Sequence, residues 1–260
     1  YPEQRLTFDN LKLDQYHLSS YSKARPDFGE VSAILSALWV NNIVDGNIYI
    51  VHTSTGDGVK VIRQLKPLLR GKVGIETCPH YLVLNEDCPA KLNATVVPPI
   101  RKAQDSEELW KGIKDGTVTS MGTDNCPCDL STKYKNGKDI EHVTPGFPGA
   151  GMILPTLIDE GYHKRGISLS QLSKVNSINT ARKFGLKNKG EMKVGFDADF
   201  AIMDLDWERT IDKSLFGHND FSIYEGMTFK GWPRYTTVRG TIVQKDGEIS
   251  SEPTGKFIPR

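Results

Sequence analysis

The 260-residue chain has few cysteines, no long apolar run and no excess of either charge. Its four cysteines, Cys78, Cys88, Cys126 and Cys128, are too few and too irregularly spaced for a disulfide framework, which predicts a reducing, cytoplasmic compartment. No apolar run approaches the roughly 18 to 20 residues that a membrane span needs. Lys and Arg number 33 against 32 acidic residues, so the charge balance gives no reason to expect a nucleic acid or a membrane as a partner.

The chain also begins without a methionine and without a signal peptide. Its first residues, Tyr1-Pro-Glu-Gln-Arg5, therefore predict a chain that starts inside a longer protein. With 38% hydrophobic residues, a chain of this length can bury a sizeable core as one or two domains.

Three β-rich runs each lead to a residue that can bind a metal ion. The first ends on His52 and is followed by a glycine-bearing turn, the second is followed by His80, and the third ends on Asp124. The runs are residues 47–52, 72–80 and 118–124. Since His52 and His80 are about one βα unit apart, the runs predict successive parallel strands. The carboxyl ends of such strands are where a (β/α) barrel builds its active site.

Each of these residues also has a structural interpretation. A single histidine at a strand end is more often a hydrogen-bonded surface or core residue than a ligand, and Asp124 alone could cap the next element. The spacing of Cys126 and Cys128 favours loop cysteines over a metal site, because one intervening residue and no second pair is not a metal-binding pattern.

Helical periodicity separates the β-rich runs, and the pattern changes near residue 187. Helices are predicted from Phe28 to Val40, over 59–69, from Asp105, and over 152–162 and 169–184. Residues 126–150 form a long loop of the kind that covers or binds a substrate. A brief run at 94–97 stops at two prolines. The remainder predicts a turn and strand over 190–204 and a hairpin over 235–248.

Five ordered segments carry a family resemblance. They are Glu76-Thr-Cys-Pro-His-Tyr-Leu82, Pro98-Pro-Ile-Arg101, Gly122-Thr-Asp-Asn125, Gly190 through Asp199, and Tyr224-Glu-Gly-Met-Thr-Phe-Lys-Gly-Trp232. Together they resemble the cyclic amidohydrolases: hydantoinase, dihydropyrimidinase, allantoinase and their relative dihydroorotase. The match runs over nearly the whole chain, and five motifs in order are far more specific than any one of them.

The resemblance implies an α/β fold, a distorted (β/α)8 TIM-like barrel with a small β-sandwich module, and two divalent metals, usually zinc. In such enzymes a hydroxide that bridges the metals attacks the amide carbon of the ring, and an aspartate moves the proton to the leaving nitrogen. His52 and His80 match the histidines that bind one metal. Asp124 matches the aspartate that binds the other metal and acts as general base and acid. Imidazole and carboxylate are ligands that suit zinc.

The sequence lacks two parts of the family's metal site. It has no His-x-His, and the matched region begins after the position of the carboxylated lysine. The chain therefore resembles the C-terminal part of the family, with barrel strands 5 to 8 in residues 1–187 and the β-sandwich module in 188–260. A half-barrel exposes unpaired strand edges, so we expect residues preceding Tyr1 to belong to the working enzyme. A complete barrel built from these 260 residues alone would contradict this expectation.

The resemblance also implies how the substrate is bound. The family reads the ring through backbone groups, which here match Val97, Asn125 and Phe147, and the expected partner is a small cyclic amide such as a hydantoin or dihydropyrimidine. A homotetramer is the usual assembly. The alternatives are allantoinase-type or dihydroorotase-type ring opening, a catalytically incompetent fragment, and a dihydropyrimidinase-like scaffold protein. Three polar residues at strand ends argue against the scaffold.

Overall fold

The computed structural model describes residues 11–215, 217, 219–249 and 252–258. Within these residues the chain forms a three-stranded parallel sheet followed by a four-stranded antiparallel sheet. Helices cross between the parallel strands, so the fold is α/β, as predicted. None of the helices in this part of the chain has the length and apolar character required to cross a membrane.

The parallel sheet brings the three predicted β-rich runs together in sequence order. Its strands are β1 (Asn47–Ile50), β2 (Lys72–Thr77) and β3 (Ser120–Met121), in the order β1-β2-β3. Parallel neighbours need a crossover connection, and helices α3 (Gly56–Leu65) and α5 (Ala103–Asp115) supply the two crossovers. The carboxyl ends of all three strands therefore lie at one edge. The sheet is open, because β1 and β3 have no mutual pairing among the described residues.

Local sequence explains where the helices begin and end. The other helices before β3 are α1 (Leu18–Lys23), α2 (Asp27–Ile43) and α4 (Pro79–Val83), with 3-10 turns at Lys66–Leu68 and Lys91–Ala94. The side chain of Thr55 accepts a hydrogen bond from the backbone N–H of Gly58 and so caps α3. Gly116, with φ +81°, ends α5 in a left-handed conformation that glycine adopts without strain. The run at 94–97 is not a strand, since Ala94 ends a 3-10 turn.

The two helices predicted after the long loop are present but irregular. The first consists of a 3-10 turn (Ala150–Met152), α7 (Ile153–Thr156) and a π-helical segment (Leu157–Lys164). The second consists of α8 (Leu169–Ser173), a π-helical segment (Lys174–Ile178) and α9 (Asn179–Lys183). The long loop itself contains one short helix, α6 (Leu130–Lys133). An apolar 3.6-residue period predicts helix but does not distinguish α from π turns.

The antiparallel sheet consists of β4 (Phe200–Thr210), β5 (Thr228–Val238), β6 (Thr241–Lys245) and β7 (Glu248–Ile249). The predicted hairpin is confirmed, with β5 and β6 joined through Arg239 and Gly240. The predicted turn and strand over 190–204 are confirmed in that order, because residues 190–199 form turns and bends and β4 begins at Phe200. The strand runs on to Thr210, beyond its predicted end.

The core is continuous from the helices around the parallel sheet to β5. Trp110 of α5 is buried, and its indole N–H donates to the backbone carbonyl of Leu82 at 3.1 Å. Ser106, one turn earlier, donates to the same carbonyl at 2.7 Å. These bonds attach α5 to α4, which follows β2. A tryptophan buried in this way contributes a large apolar area to the core, and its indole N–H keeps a hydrogen-bond partner.

Candidate functional site

The carboxyl edge of the parallel sheet carries all three predicted metal ligands. His52 lies two residues beyond β1, His80 is in the first turn of α4 directly after β2, and Asp124 lies three residues beyond β3. Burial and then the neighbouring His52 lower the pKa of His80, to about 3. Burial raises the pKa of Asp124, and His52 opposes that rise. His52 is thus near enough to act electrostatically on both His80 and Asp124.

Two of these residues have an unusual backbone. His52 has φ +38° and Asp124 has φ +47°, in the left-handed region that residues with a Cβ rarely adopt. Each follows a strand of the parallel sheet and turns the chain at the same edge. Such conformations persist only where the surroundings hold them, and they concentrate at functional sites.

The ring nitrogens of His80 are buried and form no hydrogen bonds to the described residues. His80 is completely buried, and neither Nδ1 nor Nε2 of its ring has a hydrogen-bond partner among the residues that the structure describes. Its ring contacts the rings of Tyr81 at 4.1 Å and Phe147 at 5.0 Å between centroids, both edge-on. Buried polar atoms without partners are costly, and a neutral imidazole nitrogen is a zinc ligand. The environment of His80 therefore fits a metal ion.

The described residues do not form a complete metal site. No group of three or more His, Cys, Asp or Glu in this part of the chain is arranged so that it could hold a metal ion. His52, His80 and Asp124 thus share an edge of the sheet without closing a coordination shell. This agrees with the absence of a His-x-His from the sequence.

Glu76 of β2 is a site residue to which the sequence analysis gave no role. Its Oε1 accepts a hydrogen bond from the backbone N–H of His52 at 3.2 Å, and its Oε2 accepts one from the hydroxyl of Tyr49 at 2.8 Å. The backbone carbonyl of Glu76 also accepts from Thr53 N–H at 2.8 Å. A carboxylate near the end of a largely apolar strand is the signal in the sequence that could have identified it.

A second carboxylate, Glu30 of α2, holds the segment after His52 from the other side. Its oxygens accept hydrogen bonds from the backbone N–H of Ser54 at 2.8 Å and from the Ser54 hydroxyl. Arg101 is buried, pairs with Glu30 at 3.4 Å and donates to the backbone carbonyl of Arg25 at 2.5 Å. These contacts give Arg101 a structural role, because it pairs with the carboxylate that holds Ser54.

The three predicted substrate-binding residues lie outside the regular elements, Val97 before Pro98 in one loop and Asn125 and Phe147 at the two ends of the long loop. Among the three, only the Phe147 ring contacts His80 in the described part of the chain. Val97 is exposed and precedes Pro98, whose carbonyl accepts a hydrogen bond from the buried Tyr81 at 2.7 Å. Asn125 is exposed, and its Oδ1 accepts from Gly149 N–H at 2.9 Å. Phe147 is fully buried, and its backbone carbonyl accepts from Cys126 N–H at 3.3 Å.

The two loops are also bonded to one another, because Gly146 N–H donates to the carbonyl of Thr95 at 2.8 Å. The structure therefore places the loop that carries Val97 next to the loop that carries Phe147.

Residues 47–243 match the Amidohydrolase family. The chain belongs to this family. The predicted family is thereby confirmed, and the matched range includes His52, His80, Asp124 and Glu76.

Similar proteins are allantoinases and hydantoinases. The chain is 34% identical over 245 residues to an allantoinase of Rubrobacter xylanophilus, covering 93% of this chain and 53% of that protein. It is 32% identical over 249 residues to an L-hydantoinase of Paenarthrobacter aurescens, covering 94% of this chain and 54% of that protein. The structure of the L-hydantoinase (dihydropyrimidinase) from Arthrobacter aurescens matches all of this chain and 58% of its own, with a TM-score of 0.89 and 30% identity. The chain spans about half the length of the relatives it matches.

Proposed function

We propose that the chain is the C-terminal part of a metal-dependent hydrolase that opens a cyclic amide. The observation that carries the proposal is the buried ring of His80, which has two unpaired nitrogens beside His52 at the edge that also bears Asp124. Membership of the amidohydrolase family and relatives named allantoinase and hydantoinase support it. In this proposal residues 1–187 contribute strands 5 to 8 of a (β/α)8 barrel, of which the described residues form three, β1 to β3, and residues 188–260 contribute a β-sandwich module. The first ten residues lie outside the described part of the chain.

The proposed roles follow from the chemistry of each side chain. His52 and His80 hold one divalent metal, of which zinc is the candidate, and Asp124 contributes to the second and moves a proton between water and the leaving ring nitrogen. A bound metal pair supplies a lowered pKa for water and polarises the ring carbonyl. Glu76 holds the backbone of His52, and the aromatic rings around His80 exclude water. The remaining ligands come from outside the described residues.

The proposed substrate is a small cyclic amide of the hydantoin or dihydropyrimidine type. Backbone groups near Val97, Asn125 and Phe147 bind the ring, with the loops bonded to each other as described above. Allantoin-type and dihydroorotate-type rings are the alternative substrates, and the allantoinases among the relatives favour the first of them. A homotetramer in the cytoplasm is the proposed assembly and location.

A second candidate is a chain that does not catalyse the reaction by itself. The specific observation in its favour is that no group of three or more potential ligands among the described residues closes a metal site.

Elemental analysis of the purified protein, with intact mass on the same sample, tests these proposals. Two zinc ions per chain and a mass well above 29.0 kDa, together with turnover of hydantoin, dihydrouracil or allantoin, would support the hydrolase. At 29.0 kDa, a protein that binds no more than one labile metal and opens none of the three rings would support the second candidate.

A further inference from the structure

Lys133, at the end of α6, is the only lysine that is buried among the residues the structure describes. Its side chain has no carboxylate within 4.0 Å in this part of the chain. Burial of an ammonium group without a counter-ion costs free energy unless hydrogen bonds compensate for it. The hydrogen bonds that compensate it therefore indicate what the residue does.

The ammonium of Lys133 binds two backbone carbonyls on either side of a proline. Its Nζ donates to the carbonyl of Thr144 at 3.1 Å and to the carbonyl of Gly146 at 2.8 Å. Thr144 N–H donates back to the carbonyl of Lys133 at 2.9 Å. The thiol of Cys128 lies 3.7 Å from the carbonyl of Gly146 and is a second, weaker donor to it. Residues 144–149, here called the 144–149 segment, are thus attached to α6 by a charged group.

The same segment borders the candidate site. Its Gly146 N–H donates to Thr95, its Phe147 carbonyl accepts from Cys126 N–H at 3.3 Å, and its Gly149 N–H donates to Asn125. The Phe147 ring lies edge-on to His80. A displacement of the carbonyl of Gly146 would move the peptide that joins it to Phe147, and with it the groups that face His80.

We propose that Lys133 is a positioning residue that holds the 144–149 segment in the shape that binds the substrate ring. The assignment of ring binding to this segment rests on the proposed function. Hydrogen bonds from a charged donor are stronger than those from a neutral one, and a short segment with two prolines and two glycines has few other internal bonds. Lysine supplies two such bonds from one side chain.

Hydrogen exchange measured by mass spectrometry tests the attachment without any substrate. Lys133→Met removes both donors at nearly constant volume, and Lys135→Met, on an exposed side chain two residues away, is the matched control. We expect the amides of the peptide that covers 144–149 to exchange about tenfold faster in Lys133→Met. The Lys135→Met variant and the peptide that covers β2 should match the wild type. Equal exchange in all three proteins would overturn the proposal.

Turnover of the ring that the wild type accepts tests the role in binding. We expect Lys133→Met to raise KM about tenfold, with kcat within about twofold, because uniform binding of the ring is lost and the reacting groups stay in place. A lower kcat at unchanged KM would contradict a positioning role in ring binding. A wild type that opens no cyclic amide would refute the proposed function, and the exchange experiment would still decide whether Lys133 holds the segment.

Two further variants decide the question if Lys133→Met does not fold. Lys133→Gln keeps an N–H donor on a side chain one atom shorter, and Cys128→Ala removes only the weaker donor to Gly146. Faster exchange of the 144–149 segment in Lys133→Gln than in Cys128→Ala supports the proposal. Wild-type exchange in Lys133→Gln, or faster exchange only in Cys128→Ala, overturns it.

Discussion

The backbone N–H of His52 donates to Oε1 of Glu76 at 3.2 Å, across the pair of strands β1 and β2. The other oxygen of Glu76 accepts from the hydroxyl of Tyr49 at 2.8 Å. One carboxylate thus connects a residue within β1 to the left-handed turn that follows it. This arrangement holds the backbone of His52 at the edge of the sheet that also carries His80, without using either ring nitrogen of His52.

Replacing Glu76 by Gln tests whether this carboxylate supports the metal site. The glutamine keeps one acceptor oxygen but turns its NH2 group towards a donor, so one of the two hydrogen bonds is lost. We expect the free energy of unfolding to fall by about 1 to 2 kcal/mol and zinc affinity to fall about tenfold, as is usual for residues that orient a ligand. Chemical denaturation and zinc titration measure the two effects.

Tyr49→Phe is the matched control for that variant. It removes the hydroxyl bond to Glu76 and leaves the bond to His52, so we expect a loss of about 1 kcal/mol in stability and little change in zinc affinity. Equal losses of zinc affinity in the two variants would show that Glu76 does not act through His52.

Gly122 lies between β3 and Asp124 and faces the same carboxylate. A Cβ at this position would lie 2.3 Å from the carboxyl carbon of Glu76. Gly122→Ala must therefore displace Glu76, and we expect a loss of about 1 to 3 kcal/mol in the free energy of unfolding, together with weaker zinc binding.

Gly29→Ala is the control for the glycine substitution. Gly29 lies in α2, where a Cβ would have nothing within 4 Å. Alanine should stabilise the helix by about 0.5 to 1 kcal/mol, because it restricts the unfolded chain and fits the native backbone. Thermal and chemical denaturation of both variants should give opposite signs. A neutral Gly122→Ala would show that Glu76 moves aside without cost.

Removal of the imidazole of His80 tests its role as a ligand. We expect His80→Asn to bind less than half of the wild-type zinc per chain, measured by elemental analysis after dialysis. His142→Asn is the control, since His142 is exposed and its Nδ1 already pairs with Asp139 at 2.8 Å. Wild-type zinc content in His80→Asn would remove this residue from the site.

The sequence was sufficient to predict the parallel strands and the edge of the sheet at which the three candidate ligands lie. Strand-length apolar runs, each followed by a polar residue, predict an edge of a parallel sheet, and His52, His80 and Asp124 lie at that edge. The sequence was not sufficient to predict the contacts that Glu76 and Lys133 make. Both act on backbone groups distant in sequence, and a contact from a side chain to a remote carbonyl or N–H leaves no periodic pattern.

The sequence predicted a turn and a strand over 190–204 but not the residue at which one gives way to the other. Residues 190–199 contain alternating apolar and polar residues, as a strand does, but they form turns stabilised by Lys189, which pairs with Asp197 at 2.7 Å and with Asp199. Alternation predicts a strand only where a neighbouring strand is available to pair with it.

The buried ammonium of Lys133 gives stability a specific pH dependence. Burial lowers the pKa of this lysine to about 8, against an ordinary value of 10.5, and the nearby Cys128 and Cys126 partly oppose the shift. Between these two pH values the unfolded chain binds the proton and the folded chain does not, so the free energy of unfolding rises with pH. The destabilisation is fully present below pH 8 and disappears as the pH approaches 10.5.

The difference in unfolding free energy between the wild type and Lys133→Met isolates this contribution, because all other groups titrate in both proteins. From pH 7 to pH 10 we expect the difference to shift in favour of the wild type by up to about 3 kcal/mol. Urea denaturation at intervals of one pH unit measures it. A difference that stays constant over this range would mean that Lys133 remains protonated, and that its two carbonyl partners fully compensate for its burial.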